Sequence, residues 1–160
     1  MATGPGYNNP TYRPPHGLID PRATEGVLGR RLMGYLVDLV VIMILTALLS
    51  VVIGVLGVIT FGLAWMLFGL LPLTAIVYNA VTVGGASQAT IGMRMAGVRV
   101  VDGVTGGRVS MLQAAVHALL FYVAVSTAVL LAVDILIGVG RSDRRLGHDL
   151  LSGLALVRTG

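Results

Sequence analysis

Gly29 to Leu49 reads GRRLMGYLVDLVVIMILTALL: two arginines, then an apolar run interrupted once, by Asp38. The run stays apolar to Ile59. About 20 residues rising about 1.5 Å each cross a hydrocarbon core about 30 Å thick, so this stretch is expected to span a bilayer as a helix over residues 31–57. Asp38 follows Arg31 by seven residues, two helical turns, so both groups lie on one face with the acid about 10 Å deeper. A charge at mid-membrane costs about 2.5 to 3.5 kcal/mol even on the lenient insertion scale. The carboxylate must therefore face protein or water, and Arg31 is its expected partner.

The composition around this stretch supports the same solvent. The chain has 160 residues, 56% hydrophobic and 11% charged, with a mean hydropathy of +0.89; a water-soluble domain carries about 25% charged residues. One membrane domain over residues 26–160 fills the length and leaves no room for a large catalytic module. All eleven basic residues are arginines, and they flank apolar runs rather than cluster on a soluble face. The positive-inside rule accounts for that placement, and no nucleic-acid partner is expected. With no cysteine, disulfides and thiolate chemistry are excluded.

Before the first run, residues 1–25 hold five of the six prolines among Gly, Asn and Thr, which predicts a disordered cytoplasmic tail without a signal-peptide pattern. After it, Phe61 to Val83 is a second apolar run, expected to return across the bilayer and complete a helical hairpin, with a kink at Pro72. Trp65 and Tyr78 are then expected near the two interfaces, and Asn79 as a capping or interhelical hydrogen bonder. Residues 84–110 carry three arginines and seven glycines and read as an aqueous connector. Within it, Val98 to Val101, turn residues 102–107 and Arg108 to Ser110 predict a small cytoplasmic β-hairpin over about 97–110.

The third apolar run, Met111 to Val139, would be about 42 Å long as one straight helix and would leave Arg141, Arg144, Arg145 and Arg158 on the far side. A bent or re-entrant helical segment returns those arginines to the cytoplasm. It also allows Leu154 to Arg158 to join the hairpin as a third strand. The expected fold class is thus all-α transmembrane, with two full spans in a hairpin, a third bent segment and a small cytoplasmic β-element.

The titratable groups inside the apolar runs are the candidate functional residues. Asp38 has two readings: a structural lock for Arg31, Arg94 or a C-terminal arginine, or an acid that couples to an ion. Asp134 is a second acid among apolar residues. Thr127 lies seven residues before it on the same face, where its hydroxyl can supply oxygen to a hard cation, although a solvated position near a bend is the plainer expectation. His117 is expected as a hydrogen-bonded interface histidine. His148 and Asp149 are adjacent, and neighbours on a helix point apart, so no metal site is expected from them. There is no phosphate-binding loop, nucleophile elbow or metal-ligand spacing, so neither an enzyme nor a bound cofactor is expected.

Three segments taken together, RRLMGYLVD (Arg30 to Asp38), ATIGMRMAGVRVVD (Ala89 to Asp102) and RRLGHDLLSGLALV (Arg144 to Val157), resemble the RDD family of bacterial membrane proteins. On that resemblance the family arginine and first aspartate fall on Arg31 and Asp38, a T-x-G-x-R turn on Thr90, Gly92 and Arg94, and a closing HD on His148 and Asp149. Leu154 stands where a threonine is common, and His117 where an arginine is common. The resemblance implies a bacterial inner-membrane, multi-pass protein with both termini cytoplasmic. It further implies an activity of the cation/proton transport kind. The alternative is a non-transporting accessory or scaffold subunit. The expected partners are the lipid bilayer and either further copies of the chain or a larger membrane complex.

Overall fold

The computed structural model describes residues 21–24, 26–141 and 143–159; the expected tail over 1–25 lies almost entirely outside them. The first apolar run forms one uninterrupted helix, α1 (Val27–Ile59), of 33 residues. It is about 50 Å long. Only 6% of its most apolar 18-residue window is buried within the chain, so nearly all of that surface is left for lipid.

The second run does not make a straight span. Leu63–Leu70 winds as a tight 3-10 segment, and α2 (Leu73–Val83) starts just after Pro72, bent 59° from it. The ring of Pro72 fixes φ near −59° and supplies no N–H, which suits the start of a helix better than its interior. The expected kink is thus a break, and α1 is the one described helix that is long and apolar enough to cross a membrane alone.

The third run also breaks, into α4 (Met111–Val125) and α5 (Ala128–Gly140), which meet at 119°. No proline or glycine stands at the bend. Thr127 takes an extended backbone, and its hydroxyl accepts the Leu130 N–H as the N-cap of α5. The bent third segment expected from the arginine distribution is what forms.

Between these pieces lie α3 (Ile91–Met95) and β1 (Val98–Asp102), then at the C-terminal end α6 (Gly147–Ser152) and β2 (Leu154–Arg158). The hairpin expected over 97–110 does not form: β1 pairs antiparallel with β2, Val100 opposite Leu156 and Asp102 opposite Leu154, in a sheet of two strands. The turn after β1 is present, with Asp102 Oδ1 accepting the N–H groups of Val104 and Thr105. Ser110, however, is drawn into a capping box with Gln113 at the start of α4 instead of extending a strand. The free edge of β1 is closed differently, by the Val100 N–H donating to the Gln88 carbonyl at 2.8 Å.

One apolar cluster joins Val27 of α1, Val83 of α2, Ala114 of α4, Val98 and Val100 of β1, and Leu154 and Leu156 of β2. The packed core therefore sits at the sheet end. Away from it the helices present large apolar side chains outward, among them Val51, Val58, Leu63, Met66, Leu112 and Val129.

Candidate functional site

Asp38 is buried on α1, and its neighbours differ from those expected. Oδ1 accepts from the Tyr78 hydroxyl at 2.7 Å and the Gly92 N–H at 2.8 Å, and Oδ2 from the Thr90 hydroxyl at 2.6 Å. Three donors from α2 and the start of α3 thus converge on one carboxylate, and hydrogen bonds to an ionised acceptor are about twice as strong as neutral ones. The Thr90 oxygen also accepts the Met93 N–H as the N-cap of α3, and the Tyr78 oxygen accepts the Ile91 N–H. Tyr78 is therefore a buried member of this network. Gly92 is required by close approach: a β-carbon there would collide with the Gly34 carbonyl oxygen and crowd the Asp38 carboxyl carbon. Arg94 stays exposed in the last turn of α3.

Arg31 pairs with Asp149, not Asp38, at 2.5 Å between Nη2 and Oδ2. Asp149 Oδ2 also accepts the Leu146 N–H at 3.0 Å at the start of α6. The carboxyl is almost wholly buried, at 2% exposure. Burial pushes its pKa up, but the charge of Arg31, then the imidazoles of His148 and His117, outweigh that and hold it below the ordinary carboxylate value. Arg31 Nε is buried with no acceptor.

His148 Nε2 lies 3.4 Å from Asp149 Oδ1, and His117 Nε2 lies 3.7 Å from the same oxygen. The expectation that sequence neighbours 148 and 149 face apart fails because Asp149 turns back over the first turn of this short helix, toward the Leu146 N–H. On its other side His148 Nδ1 meets Asp134 Oδ2 at 2.8 Å and Oδ1 at 3.0 Å, and the His148 N–H donates to Asp134 Oδ1 at 2.8 Å. Asp134 is thus buried and engaged instead of solvated near the bend. His117 Nδ1 lies 3.0 Å from the Ser152 hydroxyl. Phe121 packs edge-on against the His148 ring with centroids 5.3 Å apart. Thr127 is not brought in; it is exposed at the bend, where it caps α5.

Arg31, Asp38, His117, Asp134 and His148 line one cavity of about 460 Å³ between α1, α4 and α5, with Tyr35, Asn79, Phe121 and Tyr122 among its other walls. The bend between α4 and α5 is what places His117 and Asp134 on either side of His148. The part of His117 and Ser152 in this cluster was not readable from spacing, since 35 residues separate them. The one signal available was polar residues within apolar runs.

A long apolar helix, two bent apolar pairs and a buried ionisable cluster beside them are the features of a membrane protein. Residues 26–153 match the RDD family, and the chain belongs to it. No curated protein and no solved structure matches the chain.

Proposed function

We propose that this chain is a small, non-enzymatic inner-membrane protein that takes a cation into the cavity between α1, α4 and α5 and moves it through the bilayer, as an oligomer. The observation that carries this is the cavity lining: two buried carboxylates, Asp38 and Asp134, stand on its walls with Arg31 and His148. Buried charges are compensated by partners or by bound cations, so carboxylates on the walls of a cavity are groups that a cation can engage. An ionisable group among membrane-capable helices is by default a functional-site hypothesis.

Orientation follows from the arginines. Arg30 donates to the Ala96 carbonyl, and Arg145 to the Leu154 carbonyl, so basic residues from both halves of the chain collect at the sheet end. The positive-inside rule assigns that end to the cytoplasm, with both termini.

The test is flux in proteoliposomes loaded with a pH dye. Sodium or potassium added outside is expected to move protons in a protein-dependent way, and Asp134→Asn is expected to abolish the signal with folding retained. Vesicles that stay silent, together with a membrane complex that co-purifies in mild detergent, would establish the accessory role instead.

A further inference from the structure

Three titratable side chains turn ligating atoms toward one point beside Asp149. His148 Nδ1 faces both carboxylate oxygens of Asp134, and Asp134 Oδ1 also accepts the His148 backbone N–H, so Nδ1 carries hydrogen and Nε2 is the nitrogen turned away from Asp134. The Ser152 hydroxyl donates its one proton toward the His148 carbonyl at 2.8 Å, with the Asp149 carbonyl at 3.2 Å. The same hydroxyl lies 3.0 Å from His117 Nδ1. The Nε2 atoms of both rings lie toward Asp149 Oδ1, at 3.4 Å for His148 and 3.7 Å for His117.

That oxygen has no other donor among the described residues, because Arg31 and the Leu146 N–H both go to Oδ2. Two ring nitrogens and one carboxylate oxygen thus converge within 4.8 Å of one another, all on buried residues.

We propose that His117 Nε2, His148 Nε2 and Asp149 Oδ1 form a binding site for a divalent transition-metal ion of the Zn2+ type. Two imidazoles and a carboxylate suit such an ion, whereas Mg2+ and Ca2+ favour all-oxygen sets. A tetrahedral ion about 2.1 Å from its ligands sets them about 3.4 Å apart. The separations from Asp149 Oδ1 are 3.4 and 3.7 Å, and the two ring nitrogens, within 4.8 Å of each other, close toward one another when the ion binds. Asp134 and Ser152 hold the remote ring nitrogens, the outer-sphere contacts that orient metal-binding histidines. Three protein ligands leave a fourth position for water or cargo. This takes from the preceding section the reading that the cavity receives a cation, and it names the ion; binding in detergent and flux in vesicles are separate measurements, so either can fail alone.

The experiment uses the full chain in detergent, purified through a tag without histidine and stripped with a chelator. Titration with Co2+ is expected to develop visible d–d absorption that saturates at one ion per chain, is displaced by Zn2+ and is untouched by excess Mg2+. His117→Ala and His148→Ala are each expected to weaken binding about 100-fold or more, and Ser152→Ala about 10-fold through loss of an orienting contact. His16→Ala should leave the titration unchanged. If the histidine variants do not fold, the wild-type titration still decides. A folded wild type that gives no d–d bands and no rise in melting temperature with Zn2+ overturns the site, and so do bands that persist in the double variant, since protons or surface groups then account for the geometry.

Discussion

A β-carbon at Gly92 would meet the Gly34 carbonyl oxygen, and that collision measures how closely α3 lies against α1. The approach is what lets the Gly92 N–H reach Asp38. Gly92→Ala is therefore expected to push α3 away and weaken that hydrogen bond, at about 2 to 4 kcal/mol, read as a lower melting temperature in detergent. Asp38→Ala strands three donors at once and is expected to cost about 3 to 5 kcal/mol, while Asp38→Asn keeps one acceptor oxygen and costs less. A melting temperature equal to wild type in Asp38→Ala would show that the carboxylate does not tie these elements together. Arg31→Ala is a separate case. It leaves Asp149 buried without its guanidinium and is expected to lower accumulation in the membrane by that route, additively with Asp38→Asn, because the two acids have different partners. Strong non-additivity would mean that Arg31 and Asp38 act as the pair that sequence spacing suggests.

At the level of elements, periodicity and charge placement revealed what local chemistry controls and missed what distant pairing controls. The first helix was legible because its apolar run is long enough to need no tertiary partner. The bend in the third run was legible from where arginines must not go, although the Ser126–Thr127 break itself carries no proline or glycine to announce it. The hairpin was misread because Val98 to Val101 shows only that a strand forms, and the strand it pairs with starts more than fifty residues later. The same limit hid the histidine cluster, in which His117 belongs to α4 while His148 and Asp149 belong to α6. The observed pairing has a direct check, since the chain lacks cysteine. Val100 and Leu156 face each other across the two strands. With the Val100 N–H turned toward Gln88, this is a non-hydrogen-bonded pair, in which α-carbons lie close enough for a disulfide. Val100→Cys with Leu156→Cys is expected to oxidise to an intramolecular crosslink joining the two peptides in a digest. Val100→Cys with Val109→Cys, the hairpin register, is expected to stay reduced. The reverse outcome would restore the hairpin.

For the whole molecule, the sheet and the cluster beneath it constrain topology more tightly than any helix does. Val27 at the start of α1 and Leu156 near the C-terminus share one apolar cluster, so both ends of the described chain meet at one end of the packed helices. Val83 at the end of α2 and Ala114 near the start of α4 belong to that cluster too. From this end α1 runs out about 50 Å, longer than the hydrocarbon core, so it either tilts or carries Arg30 and Arg31 clear of the acyl chains. The Leu63–Leu70 segment and α2 lead back to this end, where Val83 joins the cluster, and α4 and α5 turn on each other by 119°. Reporters placed before Val27 and after Gly160 are therefore expected to show the same side, and on the positive-inside rule both are expected to read the cytoplasm. A reporter that reads the periplasm after Gly160 while the N-terminal one reads the cytoplasm would require β2 to part from β1. It would also draw Asp149 away from Arg31, dismantling the cluster on which cation binding rests.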